Sequence, residues 1–292
     1  METWSDDLEG CLAGPYVVER RERLESHAAI FTGRSFVGEK RVELKVLSRA
    51  ACDIAGRLSL GSAPLLHEYR VAVRLGPRHV TRHLDTGFLS DGLPFLAREL
   101  PSEEQPVTKG RVWGFSDATS IITDVAEAVM ALHALGLEGP VLTLENLDFM
   151  TSRQDSVPRC RLRDLSWLRW SRIPSPANHA VLASTFTPEE AAGHPPDVRS
   201  DVFNLARLYY RLLSGASPFE GHDTSVDELT PIFNGSSALP LVRLRERRRD
   251  LFEEVDMFLV RTLNRNPAVR PATVELFLSG LSHLVDSMED GA

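Results

Sequence analysis

Residues 136–149 read GLEGPVLTLENLDF. The stretch follows an amphipathic run, SIITDVAEAVMALHAL at 120–135, and Gly136 stands where a helix C-cap glycine is expected. After it come a short apolar piece, the polar pair Glu145-Asn146 and a second apolar piece. Alone, this is a helix, a loop and a strand of a mixed domain. What it carries depends on the signals to either side.

Upstream the pattern is strand-like. YVVERRERL, HAAIFTG and RVELKVL follow one another between Tyr16 and Leu47, and the turn signals Gly33 and Gly38 separate them into a small antiparallel sheet. PLLHEYRVAVRL at 64–75 repeats apolar residues at helical spacing. VTRHLDTGFL and LPFLAREL are two further strands, with Ser90-Asp91-Gly92 as their hairpin turn. Downstream of Pro101 the pattern turns helical, with apolar faces at helix period over 120–135, 201–214, 251–263 and 273–285. The basic cluster RLRERRRD at 243–250 reads as a solvated helix face.

A strand-rich first third joined to a helix-rich remainder predicts an α+β fold with two lobes. The expected organisation is a flexible lead at 1–15, a small β-rich lobe with one main helix at 16–100, a larger helical lobe at 101–285 and a tail at 286–292.

Composition narrows the function classes. The 292 residues are 42% hydrophobic and 25% charged, ordinary values for a globular protein. A net charge of −8 argues against general nucleic-acid binding. No apolar run reaches spanning length, and METWSDDLEG lacks the basic start of a signal peptide, so a cytoplasmic protein without a membrane partner is expected. Cys11, Cys52 and Cys160 are scattered and make neither a disulfide framework nor a zinc site. Only Lys40, Lys45 and Lys109 are lysines among 33 basic residues, so a lysine at a demanded position is informative.

In this order the signals resemble a bacterial Ser/Thr protein kinase domain, over roughly residues 16–285. VELKVL resembles the strand that carries the kinase lysine, which places Lys45 there, and Glu68 falls on the next helix where its ion-pair partner belongs. LPFLAREL resembles the strand leading to the hinge, ALHALG the helix entering the catalytic loop, and RLRDLSW the Asp-Phe-Gly segment with Asp164 as its aspartate. FTPEEAAG resembles Ala-Pro-Glu, placing Pro188 and Glu189; RSDVFNLARLYYRLLSGASPFEG resembles the buried helix of the larger lobe; NRNPAVRP supplies Arg270 as the partner of Glu189. Asp201, Glu189 and Arg270 hold architecture under this resemblance and do no chemistry.

Phosphoryl transfer needs cradled phosphates, cations on the developing charge and a carboxylate to orient the hydroxyl. Aligned on Glu145-Asn146, the loop has Gly139-Pro140-Val141 where the resemblance implies His-Arg-Asp, and Thr143 where a lysine belongs. Val141 at the base position cannot accept a proton, and Pro140 removes the cation that pairs with a phosphorylated loop. The glycine-rich loop should lie within RERLESHAA at 21–29, which has no glycine; its positions fall near Glu22, Leu24 and His27, and Glu22 and Glu25 repel a polyphosphate.

The adenine slot of the family is apolar. Here its positions carry Glu43, Arg98, Asp148 and Arg163. Unpaired charges in a closed cleft are costly, so a Glu43–Arg98 ion pair is expected, with Asp148 and Arg163 extending it. Lys45, Glu68, Asn146 and Asp164 remain from an ordinary kinase, and Ser166 replaces the glycine of Asp-Phe-Gly.

The expectation is a catalytically inactive kinase-like domain, bacterial and cytoplasmic, acting as a regulatory scaffold for a protein partner. Its candidate surfaces are the helix of Glu68 and the segment 165–186 with Trp167 and Trp170. No cofactor is expected, and no metal. The alternatives are an unconventional kinase, an AMP-transferring enzyme or a nucleotide-binding switch, for which ATP and Mg²⁺ would be held at Lys45, Asn146 and Asp164.

Overall fold

A computed structural model describes residues 8–25, 28–57, 64–100, 111–150, 158–165, 187–192, 194–219 and 241–289. The chain divides into two compact units, Met1–Glu103 with Arg163–Ser166, and Glu104–Leu162 with Trp167–Ala292.

The first unit is built on an antiparallel sheet of six strands: β1 (Leu12–Ala13), β2 (Tyr16–Leu24), β3 (Ala28–Ser35), β4 (Arg41–Leu47), β5 (His83–Phe88) and β6 (Pro94–Glu99), in the order β1-β2-β3-β4-β6-β5. Alternation assigns the faces. Val42, Leu44 and Val46 of β4 join Phe95 and Ala97 of β6, Phe31 of β3 and Val18 of β2 in one apolar cluster. The intervening positions, Glu43 and Lys45 opposite Arg98 and Leu96, therefore share the other face. Helix α1 (Arg49–Arg57), which the sequence reading passes over, follows β4 directly, and α2 (Pro64–Leu75) packs on β5 and β6.

Two details depart from expectation. Part of the expected lead belongs to the sheet, since β1 pairs with β2 and Leu8 is buried in the apolar cluster. Gly33 is not a turn but lies inside β3, where an added Cβ would come within 2.5 Å of Leu44 Cδ1 and 2.8 Å of the Val17 carbonyl oxygen. Gly38, at φ +76°, makes the turn.

The second unit is helical. It contains α3 (Phe115–His133), the two-stranded ribbon of β7 (Leu147–Met150) and β8 (Arg159–Leu162), α4 (Pro188–Ala191), α5 (Val198–Ser214), α6 (Leu244–Arg247), α7 (Glu253–Thr262) and α8 (Val274–Glu289). Helix α5 is buried almost all round, the pattern of a core helix, and packs on α3, α7 and α8. It opens on a capping box between Asp197 and Ser200 and closes on Gly215 at φ +72°. The basic cluster around α6 is more than a solvated face. Leu244 is buried, Arg243 Nε donates to Asp256 Oδ2 at 2.7 Å, and Arg248 Nη1 donates to the Leu213 carbonyl at 2.5 Å. No described helix is long and apolar enough to cross a membrane.

Candidate functional site

The polar face of the sheet unit carries a buried cluster of charges. Glu43 and Arg98 are direct partners in the β4–β6 register, and Arg98 Nε donates to Glu43 Oε1 at 2.7 Å. Arg163 Nη2 reaches Glu43 Oε2, and Arg23 Nη1 lies 3.4 Å from the same oxygen. On the neighbouring position of β4, Lys45 Nζ donates to Asp164 Oδ2 at 2.6 Å; Glu68 Oε2 lies farther from it, at 3.9 Å. Arg98 Nη1 is 3.4 Å from Asp164 Oδ2 and donates to the carbonyl of Arg163 at 2.8 Å.

Glu43, Lys45, Glu68, Arg98 and Asp164 are all buried, and Arg163 is nearly so. Three acids face three bases, so the burial of each is offset by neighbours of opposite sign. Burial pushes the Glu43 carboxyl up, but Arg98, Arg163 and Arg23 outweigh it and hold it at about 2. Asp164 follows the same logic: burial opposes ionisation, yet Lys45 and Arg98 keep it well below the carboxylate range.

Helix α2 is tied to this cluster by Glu68. Its Oε1 accepts from the Leu165 backbone N–H at 3.2 Å and lies 3.3 Å from His83 Nε2. His83 Nδ1 sits 2.7 Å from the Thr81 carbonyl, which can only accept, so Nδ1 carries the proton.

The strand that should bend into a glycine-rich loop runs on as β2 to Leu24, with register shifts between Val18 and Arg20 and between Arg21 and Arg23. Glu22 is paired with Arg20 at 2.7 Å and Glu25 with Arg23 at 3.0 Å, so both acids meet neighbours of their own segment. Position 27 lies outside the described residues.

In the helical unit, Gly136 at φ +71° donates to the His133 carbonyl and ends the turn after α3. Gly139, at φ +75°, donates its N–H to both carboxylate oxygens of Asp201 at 3.1 and 3.0 Å, and Asp201 Oδ2 also meets His133 Nε2 at 2.8 Å. Val141 is buried, and Asn146 Nδ2 donates to its carbonyl at 2.9 Å, closing the loop upon itself. Asp148, also buried, accepts from Arg161 Nε at 2.8 Å directly across β7–β8. Farther along, Glu189 and Arg270 make two bonds of 2.7 and 2.9 Å, and Ser200 Oγ donates to Glu189 at 2.6 Å.

No protein-family profile matches the sequence. Among curated proteins, the chain is 26% identical to the serine/threonine-protein kinase pkn3 of Myxococcus xanthus, covering 86% of this chain and 46% of that one. It is 23% identical to Pkn1 of the same organism, over 94% of this chain and 39% of the other. It thus spans less than half the length of these two relatives. The solved kinase domain of Mycobacterium tuberculosis PknI superposes with a TM-score of 0.67 at 24% identity, over 94% of this chain and 98% of that one. The chain has a protein-kinase-like fold.

Within this kinase-like domain the sheet unit gathers Glu43, Lys45, Glu68, Arg98, Arg163 and Asp164, and the helical unit holds Asn146 beside Val141, Glu189 beside Arg270, and Asp201 beneath Gly139. Of the two side chains expected to extend the Glu43–Arg98 pair, Arg163 does so and Asp148 bonds Arg161. Sequence reasoning missed Arg23, His83 and Arg161. Strand register carries the signal for Arg161, opposite Asp148 on the adjoining strand. The segment with Ser166, Trp167 and Trp170 lies outside the described residues.

Kinases hold Mg²⁺ on the aspartate that Asp164 matches. The residues here do not suit that ion. Mg²⁺ takes oxygen ligands at ~2.0–2.1 Å, and Asp164 Oδ2 already lies 2.6 Å from an ammonium and 3.4 Å from a guanidinium.

Proposed function

We propose that this kinase-like domain is catalytically inactive and works as a regulatory, protein-binding module of a bacterial cytoplasm. One observation carries the reading: the sheet positions that meet adenine in kinases are taken by the Glu43–Arg98 pair, locked further by Arg163. A purine gains nothing from displacing paired buried charges, because freeing Glu43 and Arg98 leaves each without its main partner. Val141 supports the same reading from the helical unit. Its isopropyl side chain neither orients a hydroxyl nor takes its proton.

The retained Lys45, Glu68 and Asp164 then serve structure. Their charges balance one another, and Glu68 fixes α2 to the backbone of Leu165. The solvent face of α2 presents His67, Arg70, Val73 and Arg74, a mixed basic and apolar strip suited to a protein partner.

The test is transfer of labelled phosphate. The purified chain, incubated with ATP labelled at the γ or the α position and with Mg²⁺ or Mn²⁺, is expected to incorporate neither label into itself or a general protein substrate. Incorporation that disappears in Asp164→Ala overturns the reading, from the γ label toward a kinase and from the α label toward an AMP-transferring enzyme.

A further inference from the structure

Three consecutive residues of the segment that carries Asp164 are held at three separate points of the sheet unit. The carbonyl of Arg163 accepts from Arg98 Nη1 at 2.8 Å. The carboxylate of Asp164 is bracketed by Lys45 Nζ at 2.6 Å and Arg98 Nη1 at 3.4 Å. The N–H of Leu165 donates to Glu68 Oε1 at 3.2 Å. Arg98 takes part in two of the three, and its own position is fixed by the Nε bond to Glu43.

In an ordinary kinase the aspartate of this segment turns its charge toward a metal ion bridging the phosphates. Here the same carboxylate is satisfied inside the protein. The charge count is consistent: with Arg98 present, Glu43, Glu68 and Asp164 balance Lys45, Arg98 and Arg163, and no further cation is called for. Removing Arg98 alone would leave Glu43, Glu68 and Asp164 facing Lys45 and Arg163, one negative charge in excess, since Arg23 is itself paired with Glu25.

We propose that the Arg98 guanidinium replaces the metal ion, joining Lys45 in neutralising Asp164 and pinning residues 163 and 164 to β6, so that this chain assembles its kinase-like segment with no divalent cation. The proposal rests on the reading of an inactive domain and adds to it a residue that fixes the metal-free state. Arg98 is a positioning residue in this role, acting through Asp164 and the Arg163 carbonyl. The arrangement also reverses what Asp164 does for stability. A carboxylate kept free for a metal faces repulsion from nearby acids, so neutralising it leaves the metal-free protein unchanged or firmer. A carboxylate that answers two buried cations is an integral acceptor, and neutralising it loosens the fold.

The experiment is thermal unfolding of the full chain in EDTA and in millimolar Mn²⁺ or Mg²⁺, with no nucleotide, for the wild type, Asp164→Asn and Arg98→Met. The wild type is expected to unfold at one temperature in all three buffers. Asp164→Asn is expected to lower the midpoint in EDTA by more than about 4 °C or to prevent folding. Arg98→Met is expected to unfold earlier in EDTA and to recover with Mn²⁺, and the recovery should vanish when Asp164→Asn is added.

A wild type stabilised by Mn²⁺ through Asp164 overturns the proposal, as does an Asp164→Asn midpoint in EDTA equal to or above that of the wild type. A folded Arg98→Met that ignores Mn²⁺ also overturns it. If Arg98→Met folds in no buffer, the Asp164→Asn midpoint decides. None of these outcomes depends on catalysis: phosphate incorporation by the wild type overturns the inactive reading, whereas a metal-insensitive Arg98→Met in an otherwise silent protein overturns the metal replacement alone.

Discussion

Glu43 and Arg98 face each other across β4 and β6, and the guanidinium Nε donates to Glu43 Oε1 at 2.7 Å with both side chains almost wholly out of solvent. Each is the condition for the other's burial. A lone carboxylate or guanidinium on that face would lack a partner, and the pair meets because the antiparallel register puts the two positions directly opposite.

Removing one partner should therefore cost far more than removing both. Glu43→Ala is expected to destabilise the domain by about 3–5 kcal/mol, because Arg98 remains buried without its main acceptor. Glu43→Ala combined with Arg98→Met should be less destabilising than the two single changes summed. Denaturant unfolding of the four proteins checks this as a double-mutant cycle. Additive losses would mean that the two residues do not depend on each other.

Acid should dissolve the cluster within a defined window. The Glu43 carboxyl moves from an ordinary 4.5 to about 2 in the folded chain, so between those values the unfolded state binds more protons than the folded one. The stability it contributes is complete above about 4.5 and is lost as the pH falls toward about 2, an amount on the order of 3 kcal/mol. Asp164, also held low, adds loss in the same direction. Unfolding midpoints from pH 6 to about pH 2 should fall more gently in Glu43→Gln than in the wild type. Parallel curves would contradict the assignment.

Much of this was legible in the sequence. Strands β2 and β4 and helix α2 fall at their expected bounds because alternation and helical spacing are local properties, and the Glu43–Arg98 pair follows from two charges at positions that cannot be charged singly. The partners of the cluster were harder. Arg23 and His83 reach it from β2 and from the start of β5, contacts that depend on the three-dimensional path and leave no periodic trace. Gly33 misled because a glycine between apolar residues reads as a turn, whereas here it makes room for Leu44 and the Val17 carbonyl.

That glycine supplies a test of the sheet. Gly33→Ala brings a methyl against a backbone oxygen that cannot move without disturbing β2, and is expected to cost about 1–3 kcal/mol. Gly38→Ala, with open space around it, carries only the strain of its positive φ, about 1 kcal/mol. Equilibrium unfolding of both variants, with Gly33→Ala the less stable, is the expected result.

The helical unit has its own brace. Arg270 is fully buried and donates to Glu189 twice and to the carbonyls of Asn264, Arg265 and Arg199. Arg270→Met leaves those acceptors and Glu189 unanswered and is expected to cost about 3–5 kcal/mol, read as a lowered thermal midpoint. An unchanged midpoint would remove the Glu189–Arg270 pair from the account.

If the buried charges stand where a nucleotide would bind, the wild-type chain gains no stability in a thermal titration with ATP, with or without Mg²⁺ or Mn²⁺. A ligand at 100 times its Kd stabilises by about 2.7 kcal/mol, a rise of roughly 5–10 °C for a domain of this size. No rise is expected up to millimolar ATP in any of these buffers. A saturable rise in the wild type that is lost in Lys45→Ala would contradict that placement of the charges.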